Sequence, residues 1–290
     1  MDNLRGAALM VFSMLLFAIE DMLIKFMAVD IPVGQIIAML ALGSALLIGI
    51  LLRLQHQALF DRSMMTGPIL LRAIGEVIGT LGFVTAIALI PLSTASAILQ
   101  ATPLFVTLGA ALFLQEAVGW RRWTAILVGF CGVLMIIRPG MEGFSWQSLF
   151  ALQGVVGLGL RDLATRRVPK GTSTLQLSFL AFTVLIPAGA FLMWINQSTV
   201  TPLSPANTGF FVLATFIGIV AYYTIVAAMR AGEISFVTPF RYSRILFALV
   251  IGVLIFGERP DIWTLLGAAI VVSSGLYTLW RESNVRANRG

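Results

Sequence analysis

Seven charged residues interrupt stretches of sequence that are otherwise apolar: Glu20, Asp21, Glu76, Arg161, Asp162, Arg241 and Arg244. The set holds four acids and three bases, so it could pair internally, or line a wet cavity that accepts a solute carrying both signs. At a bilayer centre each would cost about 2.5–3.5 kcal/mol. Seven unpaired would total roughly 20 kcal/mol, against the ~5–15 kcal/mol net stability of a typical domain. They must find partners or water. Glu20 and Asp21 are adjacent, about 100° apart on a helix, so one is expected to face a cavity and the other a partner. Arg72 and Glu76 are four residues apart and could simply pair with each other. Arg161 lies near a helix end and is expected to snorkel, whereas the short Asp162 needs a partner. Arg241 and Arg244 share a helix face roughly 10–15 Å in from the helix end, a depth that snorkelling explains poorly. They are the strongest binding signal, read as a carboxylate site with structural ion pairing as the alternative.

The same segments carry Tyr222, Tyr223 and Tyr242, whose polar-tipped rings suit an amphipathic solute. Pro239 removes a helical hydrogen bond and frees the carbonyl of Ser235. Pro103 and Pro187 could kink their helices in the same way, either as hinges or as static bends fixed by packing. The candidate substrate-binding set is therefore Glu20, Asp21, Glu76, Asp162, Tyr223, Arg241, Tyr242 and Arg244, with Pro103, Pro187 and Pro239 as kink positions.

The elements that must position these residues follow from composition. Of 290 residues, 59% are hydrophobic and 11% charged, with a mean hydropathy of +0.96. A soluble domain has about 25% charged residues, so the solvent here is lipid. Apolar runs of spanning length fall at about 7–29, 33–52, 68–90, 92–114, 120–137, 146–166, 173–194, 207–230, 234–256 and 262–280. In lipid such runs must be helical, because unsatisfied backbone groups cost several kcal/mol each. The expected fold is an all-α membrane protein of ten transmembrane helices. The first run is too long for a signal-peptide core and carries Glu20, Asp21 and Lys25, so it is read as a retained helix. Cys131, the single cysteine, is expected to be a small buried apolar residue, and His56 a surface residue.

With the N-terminus cytoplasmic, the inner side receives Arg5, Arg53, Arg62, Arg121, Arg122, Arg166, Arg167, Lys170, Arg230, Arg281, Arg286 and Arg289; the outer side receives Arg138 and Arg259, with Lys25 near a helix end. That asymmetry places both termini in the cytoplasm and requires an even number of spans. It also accounts for the net charge of +6 without nucleic acid.

An internal repeat underlies the ten spans. Glu20-Asp21 through Lys25 aligns with Arg161-Asp162 through Arg166, and Gly79, Phe83, Thr85 and Ala88 align with Gly218, Tyr222, Thr224 and Ala227. Glu116 aligns with Glu258; the offsets are 141, 139 and 142. One five-helix unit thus occurs twice, over 1–140 and 141–290, and because five is odd the second copy is inverted in the membrane. Inverted repeats characterise secondary transporters, with the substrate site where the halves meet. Glycines at Gly75, Gly79 and Gly82, and at Gly154, Gly157 and Gly159, are spaced for close helix contact. Glu116 and Glu258, at hairpin ends on opposite faces, read as structural brackets.

The segment Pro103 to Gly140 reads P-x(12)-E-x-x-G-W-R-R-W-x-A-x(3)-G-F-x-G-V-L-x-x-x-R-P-G, and the second half offers Gly257-Glu258, Gly267 and Gly275. This pattern resembles the EamA-like branch of the drug/metabolite transporter superfamily across essentially the whole chain, and within it the YddG-type exporters of aromatic and other amino acids. One departure is Ile245, standing where the repeat places a counterpart of Pro103. The resemblance implies a ten-helix carrier working by alternating access, with export as the direction and small metabolites, amino acids foremost, as substrate. Helices one, three, six, eight and nine are expected to line its cavity, with Arg241 or Arg244 on a substrate carboxylate and Glu20, Asp21 or Glu76 meeting an ammonium or carrying a proton. The expected partners are a small-molecule substrate and the lipid bilayer of a bacterial inner membrane, with no nucleic acid and no required oligomer. An exporter of drugs or other metabolites is the alternative within the family. A membrane-embedded lipid-modifying enzyme is disfavoured: no H-E-x-x-H, Asp-rich repeat or nucleotide-binding motif occurs, so no catalytic residue, metal or cofactor is expected. A channel would need a pore-lining ring, which the sequence does not offer.

Overall fold

The computed structural model describes residues 2–60, 65–113, 119–141, 143–169, 171–232 and 234–287. Arg62, Glu116, Lys170 and Arg289 lie outside the described residues. The chain folds into α1 (Asn3–Met27), α2 (Val33–Leu54), α3 (Gly67–Leu89), α4 (Leu92–Leu99), α5 (Thr102–Phe113), α6 (Trp120–Ile137), α7 (Ser148–Thr165), α8 (Thr174–Ile195), α9 (Pro205–Ala231), α10 (Ile234–Val237), α11 (Ser243–Phe256) and α12 (Ile262–Ala287), with a 3-10 turn (Thr238–Tyr242) between α10 and α11. Taking α4–α5 and α10–α11 as single crossings, these make ten spans. Nine of them are long and apolar enough to cross a membrane among the described residues. The tenth, α7, has 18 residues and carries Arg161 and Asp162, which lower its hydropathy.

The halves interlock along four helix pairs: α3 along α7, α1 along α9, α2 along α8, and α6 along α12. Each pair takes one helix from each half. An axis exchanging equivalent spans converts α3–α7 into α9–α1 and leaves α2–α8 and α6–α12 unchanged. That is the packing of two inverted repeats.

Small residues set the closeness of these pairs. On α3, a Cβ added at Gly75 would lie 2.6 Å from the backbone nitrogen of Arg161, at Gly79 2.6 Å from that of Leu158, and at Gly82 2.7 Å from that of Gly154. No side chain fits there. Between α6 and α12, a Cβ at Gly132 would lie 2.8 Å from the Gly267 carbonyl, and one at Gly267 2.6 Å from the Gly132 carbonyl. The α1–α9 pair instead uses Ser13, whose hydroxyl donates to the Ala221 carbonyl at 2.7 Å.

The fourth span breaks at Gln100–Ala101, just before Pro103, and the Thr102 hydroxyl donates to the Leu99 carbonyl that the proline leaves free (2.7 Å). The ninth span is distorted around Pro239, which lies in the 3-10 turn. At Pro187, by contrast, α8 runs unbroken from Thr174 to Ile195. Cys131, expected to be buried, is exposed on the outer surface of α6. It lies one position before Gly132, whose face turns inward against α12.

Gly79→Leu is expected to lower the thermal unfolding midpoint in detergent by several degrees, since overpacking a tight interface costs about 1–3 kcal/mol. Gly209→Ala, where an added Cβ meets nothing within 4 Å, should leave it unchanged or raise it. Equal midpoints for Gly79→Leu and wild type would refute the α3–α7 contact.

Candidate functional site

The intramembrane charges gather where α1, α3, α7 and the start of α11 meet. Asp21 on α1 is 3% exposed. Its two oxygens accept from Arg244 on α11, with Nη2 at 2.7 and 2.9 Å and Nε at 3.2 Å. The two-pronged geometry matches the planar guanidinium, which makes it a strong charge-assisted pair. The Arg244 guanidinium also lies over the rings of Phe17 (5.3 Å) and Phe83 (5.2 Å). These rings shield the pair from lipid and from water.

A second group joins α3 to α7. Arg161 donates to Glu76 at 3.2 Å and to Asp162 at 2.9 Å. Arg72, one helical turn below Glu76, stands 3.7 Å from it and also donates to the Leu177 carbonyl of α8 at 3.3 Å. Arg161 does not snorkel: it is held inside by two carboxylates. The α3–α7 glycine contact explains this, because it brings the two helices close enough for the partners to reach.

Two charges remain outside these pairs. Glu20 packs against α9, where a Cβ at Gly218 would sit 2.6 Å from its Oε1. Among the described residues it has no hydrogen bond and no cation within 4 Å. Arg241, in the 3-10 turn one helical turn from Arg244, is likewise without a hydrogen bond or a carboxylate within 4 Å, although it acts electrostatically on Asp162. Both are partly accessible. Next to Arg241, Tyr242 is 5% exposed and its hydroxyl, pressed against Gly275 of α12, has no hydrogen-bond partner among the described residues.

Tyr223 falls elsewhere. It is 73% exposed and continues the stripe Val212, Leu213, Phe216 and Val220 along the outer face of α9. The helical period explains the miss: the residues facing α1 are Ala214, Ala221 and Ala228, and Tyr223 projects away from them. Pro103, Pro187 and Pro239 lie on the fourth, seventh and ninth spans, and only Pro103 and Pro239 accompany a break.

At the face away from the chain ends, a cross-half clamp closes the bundle. Lys25 of α1 donates to the carbonyls of Ile87 (3.1 Å) and Ile90 (2.7 Å), capping α3. Glu258 accepts from the backbone N–H of Leu92 (2.5 Å) and Ser93 (3.0 Å) and from the Ser93 hydroxyl (2.6 Å), capping α4. Lys25 and Glu258 themselves stand 3.8 Å apart. Gly257, with φ of 64°, turns the chain left-handed at the end of α11 and aims Glu258 back at α4. The bracket expected of Glu258 is thus visible. The role of Lys25 was not legible, since in the sequence it is only one basic residue near a helix end. Beside the clamp, Arg138 pairs with Asp261 in the loop before α12. Partial burial would raise the Asp261 carboxyl, but the Thr264 N–H and the Arg138 guanidinium outweigh it and hold the group below its ordinary value.

An all-helical bundle of two inverted repeats, with paired and unpaired charges at their interface, has the architecture of a membrane transporter of small metabolites. The model of the EamA-like transporter family matches residues 4–138 and again 145–280, and the chain belongs to that family, within the drug/metabolite transporter superfamily. It is 29% identical over 213 residues to a riboflavin transporter of Rhizobium johnstonii, covering 73% of this chain and 70% of that protein. It is 24% identical to an S-adenosylmethionine uptake transporter of Rickettsia felis, covering 76% and 74%. To the pseudopaline exporter CntI of Pseudomonas aeruginosa it is 28% identical, covering 92% and 93%. A solved crystal structure superposes with a TM-score of 0.63 at 17% identity, over 94% of this chain and 97% of the other, and so shares the fold.

Arg244→Ala strands the Asp21 carboxylate in a buried site and is expected to destabilise by about 3–5 kcal/mol. Combining it with Asp21→Ala should destabilise less than Arg244→Ala alone, measured by unfolding in detergent. Simple additivity of the two losses would contradict the pair.

Proposed function

We propose that the chain is a secondary carrier that moves small metabolites bearing a carboxylate and an ammonium, amino acids foremost, by alternating access and in the export direction. The observation that carries this reading is the pairing pattern. Asp21 with Arg244, and Arg161 with Glu76 and Asp162, satisfy one another, leaving Arg241 and Glu20, among the described residues, as the cation and the acid of the interface with no hydrogen bond or ion pair within 4 Å. A free guanidinium binds carboxylate in a defined orientation, and a free carboxylate receives an ammonium. One relative is named for S-adenosylmethionine, which itself ends in an α-amino-acid group. The basic-residue asymmetry supports an inner-membrane orientation with both termini cytoplasmic.

Proteoliposomes exchanging labelled amino acids test the reading. Arg241→Ala should reduce exchange at least tenfold while leaving the protein monodisperse in detergent, and Glu20→Gln should weaken substrates with an ammonium more than those without. A wild-type protein that moves no amino acid in either direction under any gradient would sink the proposal.

In alternating access the Lys25–Glu258 clamp must open when the face away from the chain ends does. Glu258→Gln removes the charge that caps α4 and meets Lys25, so it should shift the population towards that open state. Labelling of Ser96→Cys, in a Cys131→Ser background, by a membrane-impermeant thiol reagent should then accelerate; an unchanged rate would argue that the clamp is not a gate.

A further inference from the structure

Away from the charged interface, one surface groove combines a shape with a charge. It runs between α6 and α12, holds about 590 Å³, and is lined by Trp120, Arg121, Val128, Ala269, Ser273 and Tyr277 among others. The Gly132–Gly267 contact pins the two helices together near the end of α6 and the start of α12. The groove runs along this pair from Leu266 and Val128 to Trp120 and Tyr277, towards the face carrying the chain ends.

Its mouth has the features of a headgroup layer. Trp120 opens α6, and Tyr277 and Trp280 lie at the end of the apolar span of α12, the placement of an interfacial aromatic belt. Arg121 is exposed there, its guanidinium 5.4 Å from the Trp120 ring, with no carboxylate within 4 Å among the described residues. Among the described residues no side chain caps the start of α6, so the positive end of an 18-residue helix dipole also lies at the mouth. Deeper in, the walls are apolar: Val128 is 52% exposed and Leu266 45%.

The geometry points to an anionic glycerophospholipid as the occupant, its phosphate on Arg121 and the start of α6, and an acyl chain along Val128 and Ala269. Basic pockets between spanning helices at a membrane surface are the recurring form of such sites. A second copy of the chain fits the charges less well, because a two-fold pairing across this groove would bring Arg121 and Arg122 of both copies together, like charge against like. A bound lipid would span the one helix pair that joins the last helices of both repeats, away from the substrate-side charges. The site therefore stands or falls independently of the substrate.

Native mass spectrometry of the detergent-purified protein, titrated with phosphatidylglycerol and phosphatidylcholine of identical chains, tests the assignment. Wild type should retain phosphatidylglycerol several-fold better than phosphatidylcholine. Arg121→Ala should erase that preference and Arg121→Lys should keep most of it. Val128→Trp, at an exposed position that tolerates bulk, should reduce retention of both lipids. Equal retention of the two lipids by wild type, an unchanged preference in Arg121→Ala, or undiminished binding in Val128→Trp would each overturn the proposal. So would a dimer that Val128→Trp abolishes, which would assign the groove to a second copy.

Discussion

A bilayer does not solvate charge, and the rest of this structure is arranged around that constraint. The Asp21–Arg244 pair is its clearest expression: two ionised groups from opposite halves, bonded through both carboxylate oxygens and enclosed by Phe17 and Phe83. Neither group is tenable alone at that depth. Their pairing makes the first and ninth spans a unit, and so joins the two halves.

The two halves use the same plan with different chemistry. In the α3–α7 contact, glycines bring backbones together and Glu76, Arg161 and Asp162 share the buried charge. In the equivalent α1–α9 contact, Ser13 replaces a glycine-only seam and Glu20 lies against Gly218 with no cation within 4 Å among the described residues. The asymmetry between saturated and unsaturated sides follows from side chains that differ at matching repeat positions, most plainly Glu20 against Arg161. A perfectly symmetric pair of repeats would have two saturated networks, or two open ones. Divergence leaves one network closed and two charges over.

The clamp at the far face shows how helix ends can serve a transporter. Lys25 and Glu258 do not merely meet each other; they cap the C-terminus of α3 and the N-terminus of α4, satisfying backbone groups that the tight Ile90–Pro91 turn leaves free. The same contacts hold the first helix and the end of α11 over that turn. Joining the two halves at this face and completing the helices are one set of hydrogen bonds.

Much of this was legible without coordinates. Lipid as solvent, the helical spans, the inverted five-plus-five repeat and the family follow from composition, run length, offsets and the Pro103–Gly140 pattern, because these depend on local sequence and on the bilayer alone. The candidate charges were legible too, since an ionised group in an apolar run is conspicuous wherever it points. What only the tertiary structure decided is who partners whom. Arg244 finds Asp21 across 223 positions, Arg161 turns inward to Glu76, and Tyr223 turns outward with Val220. Helix rotation and pairing fix those outcomes, and they are set by contacts such as Gly79 with Leu158 that no single helix contains. The sequence determined which charges needed partners; the packing determined that, among the described residues, Arg241 and Glu20 make no hydrogen bond or close ion pair.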